Sequence, residues 1–226
     1  MLSSLFNCCK NIVVFDVETT GVNPKNDEII EIAVLRAVNN DGITVVEDRS
    51  DFLIKLTPGR SLPAVISDLT GITESRLQKN GISKEEACAE VVNMLSHQDL
   101  LLAAYNAHFD LSFLYFFLRT FQKEVCLKNL KLLDVLTIYK DRQPYPHKLS
   151  DAAVAYGLNL PDAHRALNDV NTTFELLCKM GEELDDFDKY VNLFGYNPKY
   201  GVPKQKISSV RYLPQPYNAK NPLYDA

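Results

Sequence analysis

Apolar positions fall into short dense runs in the first quarter of the chain and into helically spaced sets after residue 83. Residues 11–18, NIVVFDVE, are an apolar run closed by acids, the pattern of a short buried strand. The next segment, TTGVNPKND, is rich in turn formers, with Gly21 and Pro24. Residues 28–38, EIIEIAVLRAV, and 43–56, ITVVEDRSDFLIKL, read as two further strands. Asp41-Gly42 between them is a hairpin signal, so the first three strands form an antiparallel meander.

The period then changes. Residues 83–96, SKEEACAEVVNMLS, predict a helix capped by Ser83, with Glu86 at the capping-box position. Leu100 to Tyr105 reads as a buried strand, Asp110 to Phe121 as an apolar helix and Leu132 to Leu136 as a fifth strand. Leu149 to Tyr156 and Arg165 to Met180 read as helices. Strands first, then alternating strands and helices, predict an α/β domain: a five-stranded mixed sheet, antiparallel over strands one to three and parallel thereafter, covered by helices.

From residue 195 the character shifts again. Lys199, Lys204, Lys206, Arg211 and Lys220 face one acid, Asp225, and tyrosines and prolines are interleaved. The expected division is a domain over 1–194, with its motif-bearing core at 11–180, and a basic extended tail over 195–226. The tail either wraps its own domain, offsetting the acidic run Glu182 to Asp188, or extends a binding channel, or docks a partner.

Composition narrows the classes. Of 226 residues, 46% are hydrophobic and 23% charged, which excludes a disordered chain, a collagen and a coiled-coil rod. No apolar run approaches the ~20 residues of a membrane helix, and the N-terminus shows no signal-peptide pattern. The five cysteines are scattered without a CxxC pair, which argues against a zinc ribbon and for reduced thiols in the cytoplasm. The net charge of −5 does not attract a polyanion, so a nucleic-acid partner would need a local basic patch or bound cations.

Candidate chemistry lies in three segments. Asp16 and Glu18 share one face of the first strand, where like charges repel unless a hard cation relieves them. Alone, the pair is equally consistent with a solvated strand end. Asp110, in AYNAHFDLSFL, follows a buried strand and opens a helix, where the helix dipole favours an acid in any case. His164 and Asp169, in HRALND, are five residues apart and so ~140° apart on a helix, which puts His164 in the loop after Pro161-Asp162 if both serve one site. Singly, each has a bland explanation. Together, four acids from three segments plus a histidine titrating near neutrality form a two-metal phosphodiester-cleaving constellation.

The motifs FDVETTG (Phe15 to Gly21), NAHFDLSFL (Asn106 to Leu114) and HRALND (His164 to Asp169) resemble the DEDDh 3′–5′ exonucleases, a superfamily that includes polymerase proofreading exonucleases and RNase T. SDLTGIT (Ser67 to Thr73) is most similar to the exonuclease domain of the large replicative polymerase of low-GC bacteria. Arg165 four residues before Asp169, where another branch has tyrosine, places the chain in the histidine branch. The resemblance implies a ribonuclease H-like fold. It also implies metal ligation by Asp16, Glu18, Asp110 and Asp169, and His164 as general base beside Glu18 in catalysis. Two Mg²⁺ ions are the implied cofactor, with Mn²⁺ as a substitute. Thr19, Thr20, Leu69, Asn106 and Phe109 would hold the 3′-terminal nucleotide. Tyr105 stands where the family often has histidine, and His108 remains a second candidate base; His97 and His147 read as structural or solvated. The implied activity is release of nucleoside monophosphates from single-stranded 3′ ends, DNA above all, with a polymerase or repair complex as protein partner. Two rivals are a catalytically silent nucleic-acid-binding module of the same fold and an interaction subunit that uses the tail.

Overall fold

The computed structural model describes residues 2–159, 165–217 and 221–226. A short helix α1 (Ser3–Phe6) precedes the meander β1 (Asn11–Thr19), β2 (Ile29–Asn40) and β3 (Ile43–Leu53). Helices α2 (Ala64–Thr70), α3 (Glu74–Asn80) and α4 (Lys84–Leu95) follow, then β4 (Leu100–Ala104), α5 (Ala107–Thr120) and β5 (Lys131–Asp134). The chain continues through α6 (Val135–Arg142), α7 (Leu149–Ala155), α8 (Ala166–Glu183), β6 (Leu193–Tyr196) and β7 (Arg211–Pro214).

The main sheet has five strands in the order β3-β2-β1-β4-β5. Pairing is antiparallel for β1/β2 and β2/β3, and parallel for β1/β4 and β4/β5, the mixed sheet that the pattern predicts. Asp41 and Gly42 both have positive φ, 50° and 85°, as a two-residue type I′ hairpin requires. Ser83 and Glu86 close both bonds of the capping box on α4.

Strand alternation sorts the core into two layers. Ile12 and Val14 of β1 pack with Ala33, Leu35, Leu101 and Leu133 against Val170, Phe174 and Leu177 of α8. Val13, Phe15 and Val17 face the other way, with Leu102 and Ala104, onto α4 and α5. By that alternation Asp16 and Glu18 continue the α8 face.

Three stretches differ from the pattern-based reading. The apolar run at residues 132–138 turns at Asp134, so the fifth strand ends there and α6 begins. The apolar stretches on either side of Asp134 are too short to carry a period that separates a buried strand from a buried helix. The seven-residue helices α2 and α3 lie in a segment given no element. The tail is not simply extended, because Arg211–Pro214 pairs in parallel with Leu193–Tyr196, and position 194/195 falls inside β6. Nor do its lysines meet the acidic run among the described residues: Asp186 pairs with Arg142 at 2.7 Å and accepts the Tyr224 hydroxyl at 2.8 Å.

Gln215 ties the strand pair to the domain. It is buried, and its Nε2 donates to Thr137 O at 2.8 Å and to Asp141 Oδ1 at 2.6 Å. A Cβ added at Gly195 would lie 2.6 Å from Gln215 Cδ and 2.9 Å from its Cβ. Because that side chain is anchored at both bonds, it cannot swing away. Gly195→Ala is therefore expected to cost roughly 1–3 kcal/mol through overpacking, read as a lower urea midpoint at unchanged slope.

Candidate active site

The sheet creates the site by running out of partners. Pairing of β1 with β4 stops at Val14↔Ala103, so residues 15–19 project past the β4 edge. The Val17 N–H on that open edge is taken by Oδ1 of Asp110, at 3.2 Å, from the first turn of α5. Asp110 thus reaches the end of β1 from the opposite layer and is buried, 2% exposed. On the other side, α8 packs across β1 and β2 and presents Asp169 in its first turn. Carboxylate oxygens of Asp16, Glu18 and Asp169 lie within 4.8 Å of one another. Asp110 stands one hydrogen bond away, on the residue between Asp16 and Glu18. A bulge after Glu18 ends the regular β1/β2 ladder at this point, a device that re-aims side chains beside functional sites.

So many acids suppress one another's ionisation. Burial raises the Asp16 carboxyl well above the usual range, and Asp110, Asp169, Glu18 and Glu31 push it further. Burial, then Asp169 and Glu31, push Glu18 up to about 7, against the opposing pull of Arg165. Burial also raises Asp110, while the bond from Val17 holds it back. All-carboxylate donors at this spacing fit a hard divalent cation, which takes oxygen ligands and restores the charged forms.

Two further acids escaped the sequence reading. Glu31 of β2 sits directly across from Glu18 and is 0% exposed. It accepts from Arg165 Nη2 at 2.8 Å and from the Ala166 N–H at 3.1 Å, fixing the start of α8 three residues before Asp169. Asp134 accepts the Ala107 N–H at 3.0 Å and the Thr137 hydroxyl at 2.6 Å, capping α5 before Asp110. Thr137 Oγ1 in turn accepts the Gly195 N–H at 2.9 Å, so the β6–β7 pair is wired to the helix that carries Asp110. The usable signal was an acid inside an otherwise apolar strand, in EIIEIAVL and KLLDVL.

An exonuclease family model, RNase T, matches residues 13–177, which contain every one of these acids. The chain belongs to the RNase T family of DEDD 3′–5′ exonucleases. The PolC-type DNA polymerase III of Latilactobacillus sakei is 31% identical over 194 residues, 84% of this chain and 12% of the polymerase. That of Bacillus subtilis is 33% identical over 177 residues, 74% of this chain and 11% of the polymerase. The chain thus spans about an eighth or less of these polymerases' length. Among solved structures, E. coli exonuclease I with a dT13 oligonucleotide matches with TM-score 0.68 and 19% identity, over 76% of this chain and 41% of the other. Its zinc-bound form with single-stranded DNA matches with TM-score 0.71 and 18% identity, over 80% and 42%. At such identity these two neighbours speak for the ribonuclease H-like fold.

The remaining residues that resemblance to the exonuclease family singles out are distributed as follows. Thr19 Oγ1 donates to Gly21 O at 2.6 Å, and Thr20 Oγ1 accepts the Glu28 N–H at 2.9 Å, which closes the loop after β1. Leu69 on α2 is 49% exposed, an apolar side chain left available, and Gly71 ends that helix at φ 67°. Asn106 adopts the left-handed conformation at the head of α5, φ 67°. Phe109 packs 4.9 Å from Phe113 between ring centroids. His108 lies against Tyr212 of β7, Nδ1 to hydroxyl 3.0 Å, and burial lowers its pKa. His147 is buried beside Tyr139, and His97 is exposed. His164 lies outside the described residues.

Two outcomes follow from the electrostatics. Between 4.5 and about 7 the folded, metal-free chain holds a proton on Glu18 that the unfolded chain releases. Its stability therefore falls as pH rises through that window. A divalent ion needs the ionised carboxylates, so it should raise Tm more at about pH 8 than at about pH 5; thermal unfolding in chelator and in divalent salt reads both signs. Arg165→Met leaves the buried Glu31 charge uncompensated and is expected to cost about 3 kcal/mol. The double variant Glu31→Gln/Arg165→Met should recover part of that loss in urea unfolding.

Proposed function

We propose that this exonuclease removes nucleoside monophosphates from the 3′ end of single-stranded DNA. The observation that carries the reading is the convergence of Asp16, Glu18 and Asp169 within 4.8 Å, with Asp110 bonded between the first two. When bound there, two Mg²⁺ ions, or Mn²⁺ in their place, would stabilise the attacking and leaving oxygens of an in-line displacement. Asp16, Glu18, Asp110 and Asp169 would hold them. His164 would take the proton from the attacking water, whose oxygen bonds to phosphorus as the bond to the 3′ oxygen breaks. The products are a nucleoside 5′-monophosphate and, once the departing 3′ oxygen has taken a proton from solvent, a strand ending in a new 3′ hydroxyl.

Thr19, Thr20, Leu69, Asn106 and Phe109 would position the terminal nucleotide, with Leu69 and Phe109 offering apolar faces to its base. The oligonucleotide bound by exonuclease I supports a single-stranded substrate. Polymerase chains among the relatives support action beside a DNA polymerase, in the cytoplasm, during replication or repair. We take residues 1–194 as the catalytic domain and 195–226 as a strap tied back to it through the β6–β7 pair, whose first strand spans the boundary.

The test is divalent-dependent release of mononucleotides from a 3′-labelled single-stranded oligonucleotide. Asp16→Ala should abolish it. His164→Ala should lower kcat by about 10²–10⁴-fold while divalent binding, measured by calorimetry, is retained. Binding of the oligonucleotide without release by the parent chain would instead assign the catalytically silent binding module.

A further inference from the structure

One cavity lies apart from the acidic cup. It measures about 630 Å³ and runs between α5 and the tail segment at residues 205–209. Four of its lining side chains are cationic, Lys25, Arg119, Lys128 and Lys206, against one acid, Glu124. All four cations are exposed, and none is ion-paired with a carboxylate among the described residues. Half-buried Tyr115 and Phe116 stand among them, ring centroids 5.4 Å apart, with Lys25 Nζ 5.9 Å from the Phe116 centroid. In a chain of net charge −5 such a concentration of unpaired cations around aromatic rings is a local reversal of the field.

Helix geometry connects this cavity to the site. Phe109, Ser112, Phe116 and Arg119 are spaced i, i+3, i+7 and i+10 and so share one stripe of α5. Phe109 belongs to the proposed terminal-nucleotide pocket, whereas the other three line the cavity. From Leu111 to Arg119 the helix rises ~12 Å, room for roughly three stacked nucleotides at ~3.4 Å each. Cations for phosphates and rings for base faces are the two components of sequence-tolerant single-strand binding.

We propose that this groove holds the stretch of single-stranded nucleic acid lying 5′ of the scissile bond, with the tail segment as its outer wall. The inference rests on the exonuclease reading only for the direction of the strand; the groove's affinity for a single strand can be measured without catalysis. A strand seated there gains attraction from cations that the acidic cup cannot supply. It also explains what the basic tail contributes: Lys206 lines the same cavity as Arg119 and Lys128.

The experiment compares the parent chain, Lys128→Glu/Lys206→Glu, and a control of equal charge change on remote surfaces, Lys10→Glu/Lys179→Glu. Affinity for a fluorescent 16-nucleotide oligo(dT) is read by anisotropy in chelator over a series of salt concentrations. The groove variant should bind about tenfold more weakly. Its log–log salt slope should be shallower by about 1.4, two lost phosphate contacts at ~0.7 each, and the control should keep the parent's slope. Equal slopes in all three chains, or equal weakening in both variants, would overturn the groove. So would displacement of the oligonucleotide by a poly-glutamate peptide at matched charge concentration, which would mark an acidic-peptide site. Failure of the exonuclease reading shows separately, as absence of mononucleotide release by the parent chain.

Discussion

The organising constraint of this molecule is repulsion among carboxylates held where the sheet loses a strand. Pairing with β4 ends at Val14, so β1 continues alone on that edge and its backbone can bond a side chain instead of a neighbouring strand. Asp110 uses that opening. Asp16 and Glu18 occupy the adjacent face, and Asp169 closes it from α8. Asp16, Glu18 and Asp110 are placed at a cost without a cation, because burial and neighbouring carboxylates push them toward their protonated forms. The fold is therefore preorganised at a cost that a bound divalent ion offsets.

That cost requires anchors of comparable strength. Each of the two helices that deliver an acid has its N-terminus fixed by a further buried carboxylate. Glu31 receives the start of α8 through Arg165 and the Ala166 N–H, and Asp134 receives the start of α5 through the Ala107 N–H. Both anchors lie on strands, so the acids are referenced to the rigid sheet and not to loops. Carboxylates at helix N-termini also meet the positive end of the helix dipole. The same element thus serves geometry and electrostatics, but it adds negative charge near the cup. Arg165 is the counterweight on the Glu18 side, which is why it lowers the Glu18 pKa while Glu31 raises it.

Much of this was legible in the residues. Short dense apolar runs and Asp41-Gly42 specify the meander, and DxE at a strand end, an acid after the next buried strand and HRALND specify the acids. Their convergence followed from the motif resemblance, because spacing alone leaves each acid a bland alternative. Other features were illegible for physical reasons. The short apolar stretches on either side of Asp134, within residues 132–138, carry no period to mark where β5 yields to α6. Glu31 and Asp134 look like isolated acids in apolar strands, since their partners, Arg165 and Ala107, are brought near only by tertiary packing. The parallel pairing of β6 with β7 joins segments separated by fourteen residues of turns, and nothing local announces it. Tyr212, read as one of several interleaved tail tyrosines, is bonded to His108 of the second motif.

An acidic protein that handles a polyanion must separate two electrostatic tasks. The cup has to stay anionic to gather cations, so it cannot itself attract phosphate before they arrive. Attraction at a distance must come from elsewhere, yet within the screening length of about 8–10 Å at ordinary salt. The groove beside α5, whose first turn also carries Asp110, gathers its cations from four segments, with Arg119 on the helix and Lys25, Lys128 and Lys206 around it. Asp110 faces β1, whereas Phe116 and Arg119 line the groove, so the helix itself keeps the two fields apart. The tail then gains a reason to be basic that does not depend on the acidic run at 182–188. Within that run Asp186 is met by Arg142 and Tyr224, Glu182 by Lys179, Glu183 by the Tyr156 hydroxyl and Asp185 by Ser4, while Lys206 lines the groove.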